Sequence, residues 1–135
     1  MPMTTVKADT PYYVLRAENR RIGPQVVPAD TGKECFPVYG FSDKESYKRF
    51  CLNSPLALAP YPLVKGYLRN QAGAAGDGLK LVVLNAAGPR EPYLHAATVE
   101  AVLEAHENRT IHVAVAYRLT FDPEANAYRV EKSSI

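Results

Sequence analysis

Among the residues able to do chemistry, three histidines, two cysteines and a group of tyrosines and basic side chains stand out in this chain of 135 residues. His95, His106 and His112 lack the i, i+4 spacing that sets two imidazoles on one helix face over a zinc ion. Cys35 and Cys51 lie far from them in sequence and have no zinc-ligand spacing of their own. No metal and no cofactor is expected. Cys35 precedes Phe36 and Cys51 follows Phe50, so both read as buried core thiols rather than nucleophiles. His106 falls on the apolar side of a helix pattern and reads as half-buried and hydrogen-bonded. His112 falls opposite an aliphatic stripe and reads as solvated. His95 is placed where a loop carrying Arg90 enters a helix pattern, a position suited to moving a proton near neutral pH.

Other chemistries meet an obstacle in the sequence. Gly76 and Gly78 precede a strand, whereas a phosphate-binding loop follows one and opens a helix so that its amides point at the anion. Asn85 and Gly88 do follow a strand, but Pro89 removes a donor and no Lys-Ser/Thr pair comes after it. There is no Gly-x-Ser-x-Gly elbow. Glu100, Glu104 and Glu107 recur along one exposed helix face and need no catalytic explanation.

One segment departs from ordinary connecting chain. Residues 60–69 mix proline, aromatic and basic groups, and Tyr61, Lys65, Tyr67 and Arg69 are of types that dominate contact hot spots. With Arg90 and His95 they form the candidate binding set. No catalytic residue is assigned.

The elements that must hold these residues are read from periodicity and turn chemistry. A polar leader is expected over residues 1–10. Residues 11–17, 25–27 and 34–41 read as strands, the last with Pro37 at a position that pairs on one side only or lies at an edge. Ser42 and Glu45 form a capping box for a helix over residues 42–51. Asn53, Ser54 and Pro55 stop that helix. Residues 63–70 fit a short helix better than a strand. Residues 71–78, with three glycines and no large apolar side chain, read as a flexible internal loop. The near-continuous aliphatic run 79–85 is a central, buried strand. A second main helix is expected over residues 95–107, with Val99, Val102, Leu103 and His106 on its apolar face and Asn108 as a left-handed cap. Residues 111–121 alternate strictly and pair with 127–131 in a C-terminal hairpin, leaving a tail over 132–135.

Composition bounds the rest. The length is that of a single α+β domain spanning residues 1–135. Its expected form is a mixed or antiparallel sheet of five to six strands, with two main helices on one face. Hydrophobic residues make up 47% and charged residues 22% of the chain, an ordinary globular balance. No apolar run approaches the roughly 20 residues of a membrane span, and residues 1–10 hold no secretory h-region, so a cytoplasmic location is expected. Net charge is only +2, which gives nucleic acid little to bind.

Three features in order resemble the SseB-like domain: the strand at Phe36 to Tyr39, the capped helix 42–51, and the strand 79–85 leading to a helix. The resemblance covers about half the chain and rests on pattern. Asn85-Ala86 stands where that family has Asn-Pro. It implies a small bacterial accessory domain without catalytic function, and assigns no functional residue. A protein-interaction or accessory role is therefore the expected function. The alternative is a small-molecule site or enzyme with a pocket between residues 61–69 and 85–95. A homodimer is expected on a separate ground: strand 111–121 is about twice as long as its partner 127–131 and must find a further neighbour.

Overall fold

The computed structural model describes residues 7–17, 20–27, 35–52, 59–73, 79–86, 88 and 91–132. The elements in order are β1 (Lys7–Asp9), β2 (Tyr13–Ala17), β3 (Arg20–Arg21), β4 (Cys35–Phe41), α1 (Lys44–Leu52), β5 (Ala59–Pro62) and α2 (Lys65–Gly73). They continue as β6 (Leu79–Leu84), β7 (Tyr93–Thr98), α3 (Val99–Asn108), β8 (His112–Ala114), β9 (Tyr117–Asp122) and β10 (Ala127–Lys132). The class is α+β. Seven strands follow the order β10-β9-β7-β6-β4-β2-β3, β5 adds to β2, and β1 pairs separately with β8. Strands β4 and β6 run parallel from Cys35–Leu79 to Gly40–Leu84. The other strand pairs are antiparallel.

This exceeds the expected five to six strands, and the helices do not share a face. In β6 successive residues enter opposite cores. Val82 and Leu84 join Leu68 of α2 and Val99, Val102 and Ala105 of α3, together with Val113 and Val115. Leu81 and Val83 join Phe50 of α1, with Tyr39, Phe41, Leu94, Leu119 and Tyr128. Double burial explains why β6 is aliphatic throughout rather than alternating. At Pro37 the missing amide costs little. Strand β2 reaches β4 only at Gly40 and Phe41, so Pro37 has a strand partner on the β6 side alone.

Four expectations change for identifiable reasons. The second main helix begins at Val99, because residues 93–98 pair as β7 with both β6 and β9. There the Thr98 hydroxyl accepts from the Ala101 amide at 3.1 Å and caps α3. Its left-handed end is Arg109, φ 56°, one residue beyond the expected Asn108. The alternating run 111–121 divides at Val115-Ala116 into β8 and β9. Val113 and Val115 face the α3 core, whereas Leu119 faces the α1 core, so the odd-numbered residues change faces across the break. Strand β8 then pairs with β1, and β9 lies between β7 and β10. The unpaired length that motivated a homodimer is thus taken up within the chain.

Two expected irregular segments are partly ordered. Lys7–Asp9 of the leader pairs with β8, and residues 71–73 of the glycine loop extend α2. Residues 1–6, the turn at 28–32, the helix stop at 53–55, residues 74–78 and the tail beyond Lys132 lie outside the described residues.

The sheet is curled by residues 22–27. The Ile22 amide donates to Leu15 in β2 at 3.0 Å and its carbonyl accepts from Tyr39 in β4 at 2.9 Å. Shortly afterwards Gln25 and Val27 bond both backbone groups of Tyr128 on the outer side of β10, each at 2.9 Å. In a flat sheet of this order, Ile22 and Val26 would be six strand spacings apart, about 29 Å. Four residues reach at most about 14 Å. The sheet therefore bends around the α1-side core, with Ile22 and Val26 packed against it.

Gly23 makes this possible: a Cβ there would lie 1.7 Å from the Pro37 carbonyl oxygen. Gly23→Ala is expected to cost about 3 kcal/mol or more in urea unfolding, because backbone on both sides cannot yield. Gly66→Ala, whose Cβ meets nothing within 4 Å, is expected to stabilise α2 by up to about 1 kcal/mol. Equal effects of the two substitutions would show that residues 22–27 are not held against β4.

Candidate functional site

The segment singled out by composition forms the junction between β5 and α2. Tyr61 pairs with Val14 in β2, and the Leu63 amide donates to the Tyr12 carbonyl at 2.8 Å. Tyr12 and Tyr61 therefore lie on the same face of neighbouring strands, displaced by two residues. Leu63 and Leu68 are buried, which anchors the segment and turns Val64 outward. Tyr12, Tyr61 and Val64 remain 42%, 36% and 49% exposed. Lys65 opens α2 on the solvent side, and Tyr67 packs against the α3-side core.

Farther along α2, the Arg69 guanidinium reaches Glu107 of α3 at 3.2 Å. Both partners are largely exposed, so this pair contributes under about 1 kcal/mol and chiefly orients the two helices. His106 lies in the last turn of α3. Its Nε2 is 2.7 Å from the Pro11 carbonyl oxygen. A carbonyl can only accept, so Nε2 carries the proton in this contact. The imidazole also tilts against the Tyr12 ring, with centroids 5.1 Å apart. His106 is half-buried and hydrogen-bonded, as its place in the helix pattern suggested, while Tyr12 beside it is not singled out by the sequence. Their contact joins residues far apart along the chain.

The other candidates are elsewhere. His95 is on β7, exposed, opposite Arg118 of β9. It does not open a helix, as its sequence setting suggested. Strands β2, β4 and β6 separate it from Tyr61, about 19 Å along the sheet. Arg90 lies outside the described residues. The two segments flanking the expected pocket therefore share one end of the sheet without bringing Tyr61 and His95 together. Around His95 the charges are already paired. Arg118 meets Glu131 at 3.1 Å and Arg129 meets Asp122 at 2.7 Å, and the Arg118 guanidinium lies 5.6 Å from the Tyr93 ring centroid. His112 is exposed, 3.5 Å from Asp9. Among the described residues, no three His, Cys, Asp or Glu side chains gather as metal ligands would.

Several polar groups that looked available are occupied by the architecture. Ser42 does not cap α1. Its amide donates to the Asn85 side-chain oxygen at 2.8 Å, and the Asn85 amide group donates back to the Ser42 hydroxyl at 3.0 Å. Asn85 sits at φ 47°, a left-handed conformation that asparagine tolerates better than most residues. This reciprocal pair ties the ends of the parallel strands β4 and β6. Asp43 caps α1 instead, accepting from the Ser46 amide at 2.8 Å, and that bond holds its carboxyl below the usual range.

Cys51 is a free thiol, half-buried rather than fully enclosed. Cys35 forms the first residue of β4. Burial, then the hydrogen bond to Cys51, push the Tyr47 phenol up to about 12. Burial and the neighbouring Tyr128 raise Tyr39 as well. Tyr128, whose hydroxyl donates to the Glu91 carbonyl, is raised by burial and by the Glu91 charge.

No family model, no curated protein and no solved structure matches this chain.

The tyrosines give the α1-side core a pH signature. An unfolded phenol ionises near pH 10, whereas Tyr39, Tyr47 and Tyr128 resist ionisation when folded. Their stabilising effect is complete below pH 10 and is lost as pH rises through the folded values. Ultraviolet titration of the nine tyrosines should show an early group ionising with the fold intact. A late group, including these three, should ionise only with the loss of circular dichroism. Full ionisation near pH 10 without unfolding would contradict the enclosed arrangement.

Proposed function

We propose that this chain is a non-catalytic protein-interaction or accessory domain of a bacterial-type cytoplasm, in keeping with its resemblance to the SseB-like domain. Its contact surface is the β5–α2 junction. The observation that carries this reading is the outward display of Tyr12, Tyr61 and Val64 on one rigid base, formed where β5 pairs with β2 and where Leu63 and Leu68 enter the core. Rigid aromatic side chains offer contact area at low cost in conformational entropy, and anchors of this kind supply most of the energy of many interfaces. Lys65 adds a flexible charge at the rim. No helix among the described residues is long and apolar enough to cross a membrane.

A photo-crosslinking amino acid at position 64 is expected to capture a discrete protein in cells at least about tenfold more strongly than the same group at Lys48, which is exposed on α1. Tyr61→Ala and Tyr12→Ala should each weaken that complex by about tenfold, with thermal unfolding recorded alongside to exclude loss of fold. Equal capture from positions 64 and 48 would remove the surface from consideration. So would undiminished affinity in both alanine variants.

A further inference from the structure

The outer side of β5 has an unusual chemistry. Strand β5 pairs antiparallel with β2, with Val14 opposite Tyr61 and Arg16 opposite Ala59. The Leu63 amide donates to Tyr12 across the same ladder. Hydrogen-bonded pairs alternate along an antiparallel ladder, so Ala59, Tyr61 and Leu63 direct their backbone groups toward β2. The residues between them, Pro60 and Pro62, direct theirs away from it. These are the positions from which a further strand would take its bonds, and neither has an N–H.

An incoming antiparallel strand forms each hydrogen-bonded pair from one donor and one acceptor on either side. At β5 it would find carbonyls but no donor, and its own carbonyls would face two positions without an N–H. Half of every such pair is lost, twice in succession. The opposite end of the sheet is closed differently, since Gln25 and Val27 already bond Tyr128 on the outer side of β10.

We infer that Pro60 and Pro62 block strand addition at the β5 edge, so that the adjoining Tyr12–Tyr61–Val64 surface engages its partner through side chains and not by sheet extension. The second half of this statement rests on the interaction role proposed above; the block itself does not. The prolines protect a short edge, exposed at Tyr61 and Pro62, where a second copy or any extended peptide would otherwise find both backbone and apolar contacts.

The test compares the wild-type chain with Pro60→Val/Pro62→Val, both checked by circular dichroism for an intact fold. Light scattering and sedimentation across micromolar concentrations should show self-association at least about tenfold tighter in the variant. Hydrogen exchange should show the new amides at positions 60 and 62 protected in the associated form. A folded variant that associates no more than the wild type overturns the block. Association with those two amides unprotected overturns it too, because the contact then lies elsewhere. Should the double variant unfold, Pro62→Ala alone carries the same two readouts, as Pro62 is exposed. Loss of crosslinking at position 64 with the block intact would refute the contact surface and leave the edge assignment standing.

Discussion

The backbone bonds that residues 22–27 make at two distant strands set the shape of this molecule. Ile22 is fixed between β2 and β4, and Gln25 and Val27 are fixed to Tyr128 at the outer side of β10. The chain between them is too short to span a flat sheet, so the sheet curls. Curling encloses Leu94, Leu119 and Tyr128 beside Tyr39, Phe41 and Phe50, which a flat sheet would spread over several strands. It also explains why a tyrosine can be buried on an outer strand. The Tyr128 hydroxyl finds the Glu91 carbonyl at the end of the curl, so its polar tip does not stay unsatisfied. The fit depends on a hydrogen atom at position 23, since backbone approaches there with no room for a methyl group.

A curled sheet still has a convex face to cover, and α2, α3 and the β1–β8 pair cover it. The break at Val115-Ala116 is the device that allows this. A continuous strand would send Val113, Val115 and Leu119 to one side. The break sends the first two under α3 and returns Leu119 to the concave core. The cover is partial. It seals Val14, Val82 and Ala97 but stops at the β5–α2 junction, where Tyr12, Tyr61 and Val64 are left outside. The surface proposed for recognition is therefore the rim of the helical layer, held by the same packing that closes the core.

Local chemistry made some of this legible and long-range pairing hid the rest. The aliphatic run of β6 announces double burial in any context, whereas residue type alone singles out the segment from Tyr61 to Arg69 without telling that it joins a strand to a helix. The helix starting near Ser42 was legible, but its cap was not. Asn85, 43 residues away, takes both the amide and the hydroxyl of Ser42, so Asp43 assumes the capping role. Strand β7 was hidden for a related reason. Leu94, Ala96, Ala97 and Val99 suit a helix, and only pairing with β6 and β9 makes residues 93–98 extended. The meeting of Tyr12 and His106 depends on a bond from α3 back to Pro11, which no local pattern encodes.

These long-range contacts also bear on what kind of function the chain can perform. Groups with catalytic potential are largely engaged in holding the fold. His106 is bonded to Pro11, the Ser42 and Asn85 side chains are bonded to each other, Tyr128 is bonded to Glu91, and Tyr47 is joined to Cys51. The bond from His106 to Pro11 occupies Nε2 alone and fixes the orientation of the ring; the other ring nitrogen takes no part in it. His95 is exposed, but its cross-strand neighbour Arg118 is engaged by Glu131 and lies over Tyr93, and strands β2, β4 and β6 stand between it and β5. Tyr12 and Tyr61 are 42% and 36% exposed, and the Tyr12 ring tilts against the His106 imidazole. Tyr12 and Tyr61 can present apolar area to a partner while the backbone beneath them stays in its ladder. A surface of this kind can recognise by shape while the backbone bonds beneath it stay in place, as the proposed interaction role requires.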